Sequence, residues 1–284
     1  MTRSILFVHA HPDDECIPTG VTIAKYARDG ARVTVVTCTL GEVGEIVDDD
    51  LKHLDADALG EHRRNEMAEA AKILGVTDHR WLGGAGRWRD SGMMGTPEND
   101  DPRAFWQADM AEATTALAEI IEETRPQVVV SYDSNGDYGH PDHIQAHRVT
   151  VAAIEATGDV VRKRYEVATP KSVLAKGFEY FKATGDPFFA DLESADDLPF
   201  GKPDEVITSV VMAPELLATK YAAMRAHRSQ IAADGFFFAL PREIAATGFG
   251  HEHYVLAAGT SGGPRDENGW ETDLFGGLDD GHAQ

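Results

Sequence analysis

The chain is poor in cysteine, in basic charge and in long apolar runs, and each shortage removes a class of function. It has two cysteines in 284 residues, Cys16 and Cys38. They form no CxxC pair, which excludes a cysteine-based zinc site, and apolar surroundings near strand ends point to free buried thiols in a reducing compartment. Lys and Arg number 26 against 48 Asp and Glu, a formal net charge of −22. So acidic a chain offers no basic face to nucleic acid and none to an anionic membrane. No window approaches the length of a membrane span, and the apolar run before His9 is too short for a signal peptide. These features lead us to expect a cytoplasmic protein. No GxGxxG follows the first strand-like segment, which argues against a nicotinamide enzyme. There is no internal repeat or low-complexity tract, and oligomeric state is not legible.

What is present alternates. The segment "SILFV" is a continuous apolar run, the pattern of a strand buried on both faces of a parallel sheet. A helical pattern over "GVTIAKYARDG" stops at Gly30, "ARVTVVTCTL" (31–40) is a second strand, and 41–60 reads mostly as acidic loop. A helix is expected over 62–76, a third strand at "HRWLGG", and a long Gly-rich loop over 83–103, of a length that is usually functional. A helix over 104–126 stopped by Pro126 precedes a fourth buried strand, "QVVVSYD", and after "SNGDYGHPDH" the chain turns helical again. This alternation predicts an α/β fold: a Rossmann-like, doubly wound, mostly parallel sheet with helices on both faces. The second half is less regular. Strands are expected at "EVITSVVM" and "HYVLAAG" and a helix at "PELLATKYAAMRAHRSQ", while 158–205 resists assignment. We therefore expect a metal-binding core over 1–157 and a C-terminal portion, 158–284, that completes the sheet and the pocket rim, together one compact domain.

Two segments concentrate chemistry. "HAHPDDE" follows the first strand and "GDYGHPDH" the fourth. In open parallel sheets ligands bind beyond the carboxyl ends of strands, so His11, Asp13 and Asp14 can meet His140, Asp142 and His143 at one point. Catalytic zinc sites take three ligands from His and carboxylate and leave a position for water. His11 and Asp14, three apart, with His143 from the other loop, make such a set, and ferrous iron suits the same ligands. Bound zinc lowers the pKa of its water to about 7. Asp13 is left over beside the ligands, which fits a general base. Alone, an HPDD segment can also simply cap a helix, since Pro suits the first turn and Asp accepts backbone N–H groups. His147, four residues after His143, is a rival ligand or a supporting residue.

With these motifs, together with "VVTCTLGEVGE", "LGGAGRWRDSGMMGT", "EHYVLAAG" and "RDENGWETDL", the chain resembles the LmbE/PIG-L family of zinc-dependent N-deacetylases of amino sugars over almost its whole length. The GRWRDSG loop and the tail resemble the branch that acts on N-acetylglucosaminyl-inositol in mycothiol biosynthesis. The resemblance implies one zinc on His11, Asp14 and His143, with Asp13 as the base and as the acid for the leaving amine. It further implies a positively charged His140 stabilising the oxyanion with Asp142 orienting it, Tyr138 polarising the amide carbonyl, and Arg63 and Asp90 binding sugar hydroxyls. The implied partner is a small amino-sugar glycoside, with no nucleic acid or membrane. Read as residues alone, Arg63 can instead pair with Glu66 on a solvated helix face, Asp90 can be an ordinary turn residue and Tyr138 can merely pack. Cys16 stands where relatives carry Ser and is read as packing. Weak resemblance over 158–205 bears on the inositol end of the substrate. Rival readings are a mycothiol-conjugate amidase, a non-catalytic sugar-binding protein, and a metal phosphoesterase, which usually holds two ions.

Overall fold

The computed structural model describes residues 2–185 and 191–278; parts of the poorly patterned 158–205 stretch and of the C-terminal portion therefore lie outside the description. Among the described residues seven strands form one sheet in the order β3-β2-β1-β4-β5-β7-β6. In chain order, β1 (Ser4–His9) leads to α1 (Gly20–Arg28), β2 (Arg32–Thr37), α2 (Ala56–Leu74) and β3 (Asp78–Trp81). Then come α3 (Met110–Thr124), β4 (Val128–Ser131), the single turn α4 (Gly136–Gly139) and α5 (Pro141–Thr157). The remainder is β5 (Lys163–Ala168), α6 (Lys171–Thr184), β6 (Ser209–Met212), α7 (Leu217–Ala226), α8 (Phe236–Ala239), α9 (Arg242–Gly248) and β7 (His251–Ala258). The strands β1 to β5 run parallel, and β7 lies antiparallel between β5 and β6. Helices cover both faces, with α1 and α2 against α7 and α3 against α5.

The apolar runs explain the centre of the sheet. Every residue of β1 and of β4 is buried. Their parallel pairing, Ile5 to Val128 and Phe7 to Val130, sets the two strand ends side by side. Because β1 continues to β2 on one flank while β4 occupies the other, the crevice between their carboxyl ends is the topological switch point, where such sheets open to ligands.

Helix boundaries depart from the sequence pattern where capping wins over periodicity. The helix expected from 62 begins at Ala56, because the Asp55 side chain accepts the Ala58 N–H at 2.9 Å. The helix expected from 104 begins at Met110: Phe105–Gln107 is a short 3-10 turn, and Asp109 accepts the N–H groups of Ala111 and Glu112. Strand β6 is shorter than the apolar run suggests, since Asp204–Val206 turns in 3-10 geometry. The 158–205 stretch supplies β5 and α6. No helix among the described residues is long and apolar enough to cross a membrane.

Buried charge fastens the C-terminal elements to the rest. Glu252 on β7 accepts the N–H groups of Val21 and Thr22 at 2.9 and 2.7 Å and pairs with Lys220 of α7 at 2.8 Å, so it caps the N-terminus of α1. Lys163 on β5 donates to Glu271 at 2.8 Å and to the Gly276 carbonyl at 2.6 Å. Tyr165 donates to the same carboxylate, and both members of the ion pair are fully buried. This network ties the tail to the sheet. Lys163→Met should leave Glu271 buried without its cation and cost about 3–5 kcal/mol in urea unfolding, with part of the loss recovered by adding Glu271→Met.

Candidate metal centre

The two motif-bearing loops converge at the switch point. After β1 the chain turns through Pro12 and Asp13, and Asp13 takes φ 113°, in the left-handed region. That turn folds Asp14 back, so that its Oδ2 accepts the backbone N–H of His11 at 2.8 Å. The same oxygen lies 3.4 Å from His11 Nδ1 and 3.6 Å from His143 Nε2. His143 arrives from the first turn of α5, whose start is fixed by Pro141 and by His140, whose Nδ1 accepts the Asp142 N–H at 3.1 Å.

These spacings suit a metal ion. Ligand atoms about 2.0–2.2 Å from a tetrahedral ion lie roughly 3.3–3.6 Å apart. His143 Nε2 is buried and has no hydrogen-bond partner, and ring nitrogens of His11, His140 and His143 all lie within 4.8 Å of one another. The surrounding charge favours a cation. Burial opposes charge on the Asp14 carboxyl, yet His143 and His11 hold it well below the usual carboxylate range. Burial likewise opposes a charged His11, and Asp90, Asp14 and Asp142 override it, raising its pKa well above the ordinary value. Carboxylates thus crowd an imidazole that would otherwise be neutral. His11, Asp14 and His143 fit a metal cofactor.

His11 is aimed from behind. Its Nε2 lies 3.1 Å from Asp142 Oδ2, leaving Nδ1 toward Asp14. Asp142 accepts in turn from the Ser91 hydroxyl and from the Ser91 N–H at 3.0 Å. This carboxylate–histidine arrangement is the usual way a ligand's tautomer is fixed. It differs from the expectation that Asp142 orients His140. Asp142 meets His140 only through its backbone N–H, because its carboxylate is engaged by His11 and Ser91.

The surroundings of His140 disfavour the expected positive charge. Burial, with His11 and His143 adding to it, pushes its pKa down to about 4. With Nδ1 accepting the Asp142 N–H, the neutral ring carries its proton on Nε2, a donor rather than a cation.

The remaining candidates stand around this point. Asp13 faces Arg63 at 3.3 Å, and its carboxyl is pushed up to about 6, chiefly by burial and against the pull of Arg63. Arg63 is buried and donates to the Gly41 carbonyl at 2.7 Å and to the Pro12 carbonyl, so it does not pair with Glu66, which instead holds Ser229. Asp90 accepts the Gly92 N–H at 2.8 Å, the contact of a turn residue, yet it is buried, 3.6 Å from His11, and lines the cavity. Tyr138 is exposed at 37 % and sets its ring edge to His143 and His140 at 5.0 and 6.1 Å between centroids. His147 turns away, with Nδ1 2.9 Å from the Tyr132 carbonyl. Both cysteines are buried and free.

Sequence reasoning missed Tyr132. Its hydroxyl donates to Asp14 at 2.7 Å while accepting the Ala10 N–H at 2.9 Å, and its ring stacks on His143 at 4.1 Å. It thus touches two of the three ligands. The one available signal was its place at the end of the fourth strand, beside the second motif.

A cavity of about 690 Å³ opens from this centre. One end carries Asp13, Asp14, Arg63, Asp90 and the histidines; the other is walled by apolar residues of α6, α8 and α9 such as Leu174, Phe178, Phe237 and Ile244.

Residues 6–154 match the family model described as PIG-L: GlcNAc-PI de-N-acetylase. The chain belongs to the PIG-L family. A relative from Acidothermus cellulolyticus, named 1D-myo-inositol 2-acetamido-2-deoxy-alpha-D-glucopyranoside deacetylase, is 57% identical over 98% of this chain and 96% of its own. One of the same name from Thermomonospora curvata is 54% identical over 97% of each. Among solved structures, a deacetylase of teicoplanin biosynthesis aligns over 89% of this chain and 96% of its own at TM-score 0.56 and 22% identity. The N,N'-diacetylchitobiose deacetylase of Pyrococcus horikoshii aligns over 82% of this chain and 72% of its own at TM-score 0.52 and 24% identity. These distant structures share the fold.

Tyr132→Phe should weaken metal binding about 10- to 100-fold, because it frees Asp14 from a donor that orients it. Competition with a chelator of known affinity reads this directly.

Proposed function

We propose that the chain is a zinc-dependent N-deacetylase that hydrolyses N-acetylglucosaminyl-inositol to acetate and the free amine, a step of mycothiol biosynthesis. The observation that carries this reading is the joining of the His11–Asp14–His143 cluster to Asp13 in a chain 57% identical to a relative of that name. His11, Asp14 and His143 would hold zinc, which supplies Lewis acidity and an acidified water.

The chain's own residues account for the rest. Asp13, the carboxylate beside the ligands that takes no part in the set, accepts the proton of the attacking water and returns it to the departing amine. Arg63 favours the ionised form of Asp13. Tyr138 and the Nε2–H of His140 donate to the oxygen that gains charge, as preorganised donors at a developing oxyanion do. Asp90 accepts from a sugar hydroxyl, and Arg63 sits at the same end of the cavity to orient the sugar. A second reading, hydrolysis of the amide of mycothiol S-conjugates by the same groups, is favoured by the apolar wall across the cavity. Rates on the two substrates in competition separate the readings.

With zinc bound, the purified protein should release acetate and free amine from the inositol glycoside; no turnover with metal replete overturns the proposal. Asp13→Asn should keep its zinc and lose about 10²- to 10⁴-fold in kcat, the usual worth of a positioned base. The acid limb of the pH profile reports the same group. Asp13 acts ionised, and the positive charge of Arg63 lowers its pKa, so Arg63→Met should move the acid limb of kcat/KM to higher pH. Arg63→Lys, which keeps the charge, should move it less.

A further inference from the structure

We propose that Glu15, anchored by His227, is the positioning residue that holds Asp13 in its working geometry. The inference rests on the reading of Asp13 as the general base. Asp13 has φ 113°, a conformation non-glycine residues avoid and one that persists only where the surroundings enforce it. The enforcement is visible on both sides of the residue. Its N–H donates to Glu15 Oε2 at 2.9 Å, and its carbonyl accepts the Cys16 and Ile17 N–H groups at 3.0 and 3.2 Å.

The second contact is local, but the first depends on a distant part of the chain. Glu15 Oε1 lies 2.7 Å from His227 Nε2, and both side chains are fully buried. His227 follows α7 directly. A carboxylate this deep needs a partner, and His227 is the partner that turns Oε2 toward Asp13. Arg63 fixes the far end of the same residue, at Asp13 Oδ1. The base is therefore held at its backbone by Glu15 and at its carboxylate by Arg63, while neither Glu15 nor His227 belongs to the ligand set.

The test is a cycle on the zinc-loaded full chain with the inositol glycoside. Glu15→Leu should lower kcat about 10- to 100-fold with KM and zinc content little changed. Glu15→Gln, which keeps an oxygen for the Asp13 N–H and an amide for His227, should restore most of the rate. In the Asp13→Asn background Glu15→Leu should cost nothing further, because a residue acting through Asp13 has nothing left to act on. An equal loss in that background overturns the proposal, as does a loss of zinc in step with activity. If Glu15→Leu does not fold, His227→Leu is read through the same cycle with the same outcomes. Wild-type turnover is measured first: its absence defeats the reading of function, whereas normal turnover with an additive cycle defeats only the positioning role.

Discussion

The parallel pairing of β1 with β4 is the constraint on which the rest depends. It joins segments that are more than a hundred residues apart and leaves their carboxyl ends adjacent, with no strand between them. Everything polar in the centre then follows from what each strand runs into. His11, Asp13 and Asp14 come from one side, Tyr132, His140 and His143 from the other, and Asp14 reaches both His11 and His143 only because these ends are neighbours. The strands are buried throughout, so the frame is rigid, and a site built on such strand ends is held to the tolerance that metal coordination demands.

The density of carboxylates at this point has a cost that the fold distributes. Asp13, Asp14, Asp90 and Asp142 all lie in or beside the cavity, and burying them together is unfavourable unless each has its own donor. The structure gives each a different one. Asp14 has Tyr132 and the His11 N–H, Asp142 has Ser91, Asp90 has Gly92, and Asp13 has Arg63. The consequence is chemical differentiation. Asp14 is held well below the usual carboxylate range while Asp13 is pushed up to about 6, a contrast that suits the proposed division into a ligand and a base.

The parts of this arrangement legible in the sequence are those that local rules specify. Unbroken apolar runs marked β1 and β4 as buried parallel strands, and the motifs after them pointed to His11, Asp14 and His143, which the fold brings together. Spacing could not reveal partners that depend on three-dimensional return of the chain. Tyr132 looks like one more aromatic at a strand end, and Glu15 like one more acid in a row of three. The partners of Glu15 and of the α1 N-terminus, His227 and Glu252, lie more than two hundred residues away. Helix starts at Ala56 and Met110 were set by single capping aspartates, which composition hides among many acids. Spacing likewise could not show that the Asp142 carboxylate meets His11 and the Ser91 hydroxyl, or that burial lowers the pKa of His140.

The late part of the chain therefore does two separate jobs. Through His227 and Glu252 it reaches into the catalytic half and steadies elements that carry the motifs. Through α6, α8 and α9 it builds the apolar wall opposite the polar end of the cavity. The first job constrains geometry tightly, since buried ion pairs tolerate little displacement. The second constrains only shape and apolar character, which many side chains satisfy. A chain organised this way can change what it accepts at the far end of the cavity without disturbing the polar groups at the other end. The division runs within the C-terminal portion, between buried charged residues that fasten elements together and apolar residues that shape the cavity, rather than between two halves of the sequence.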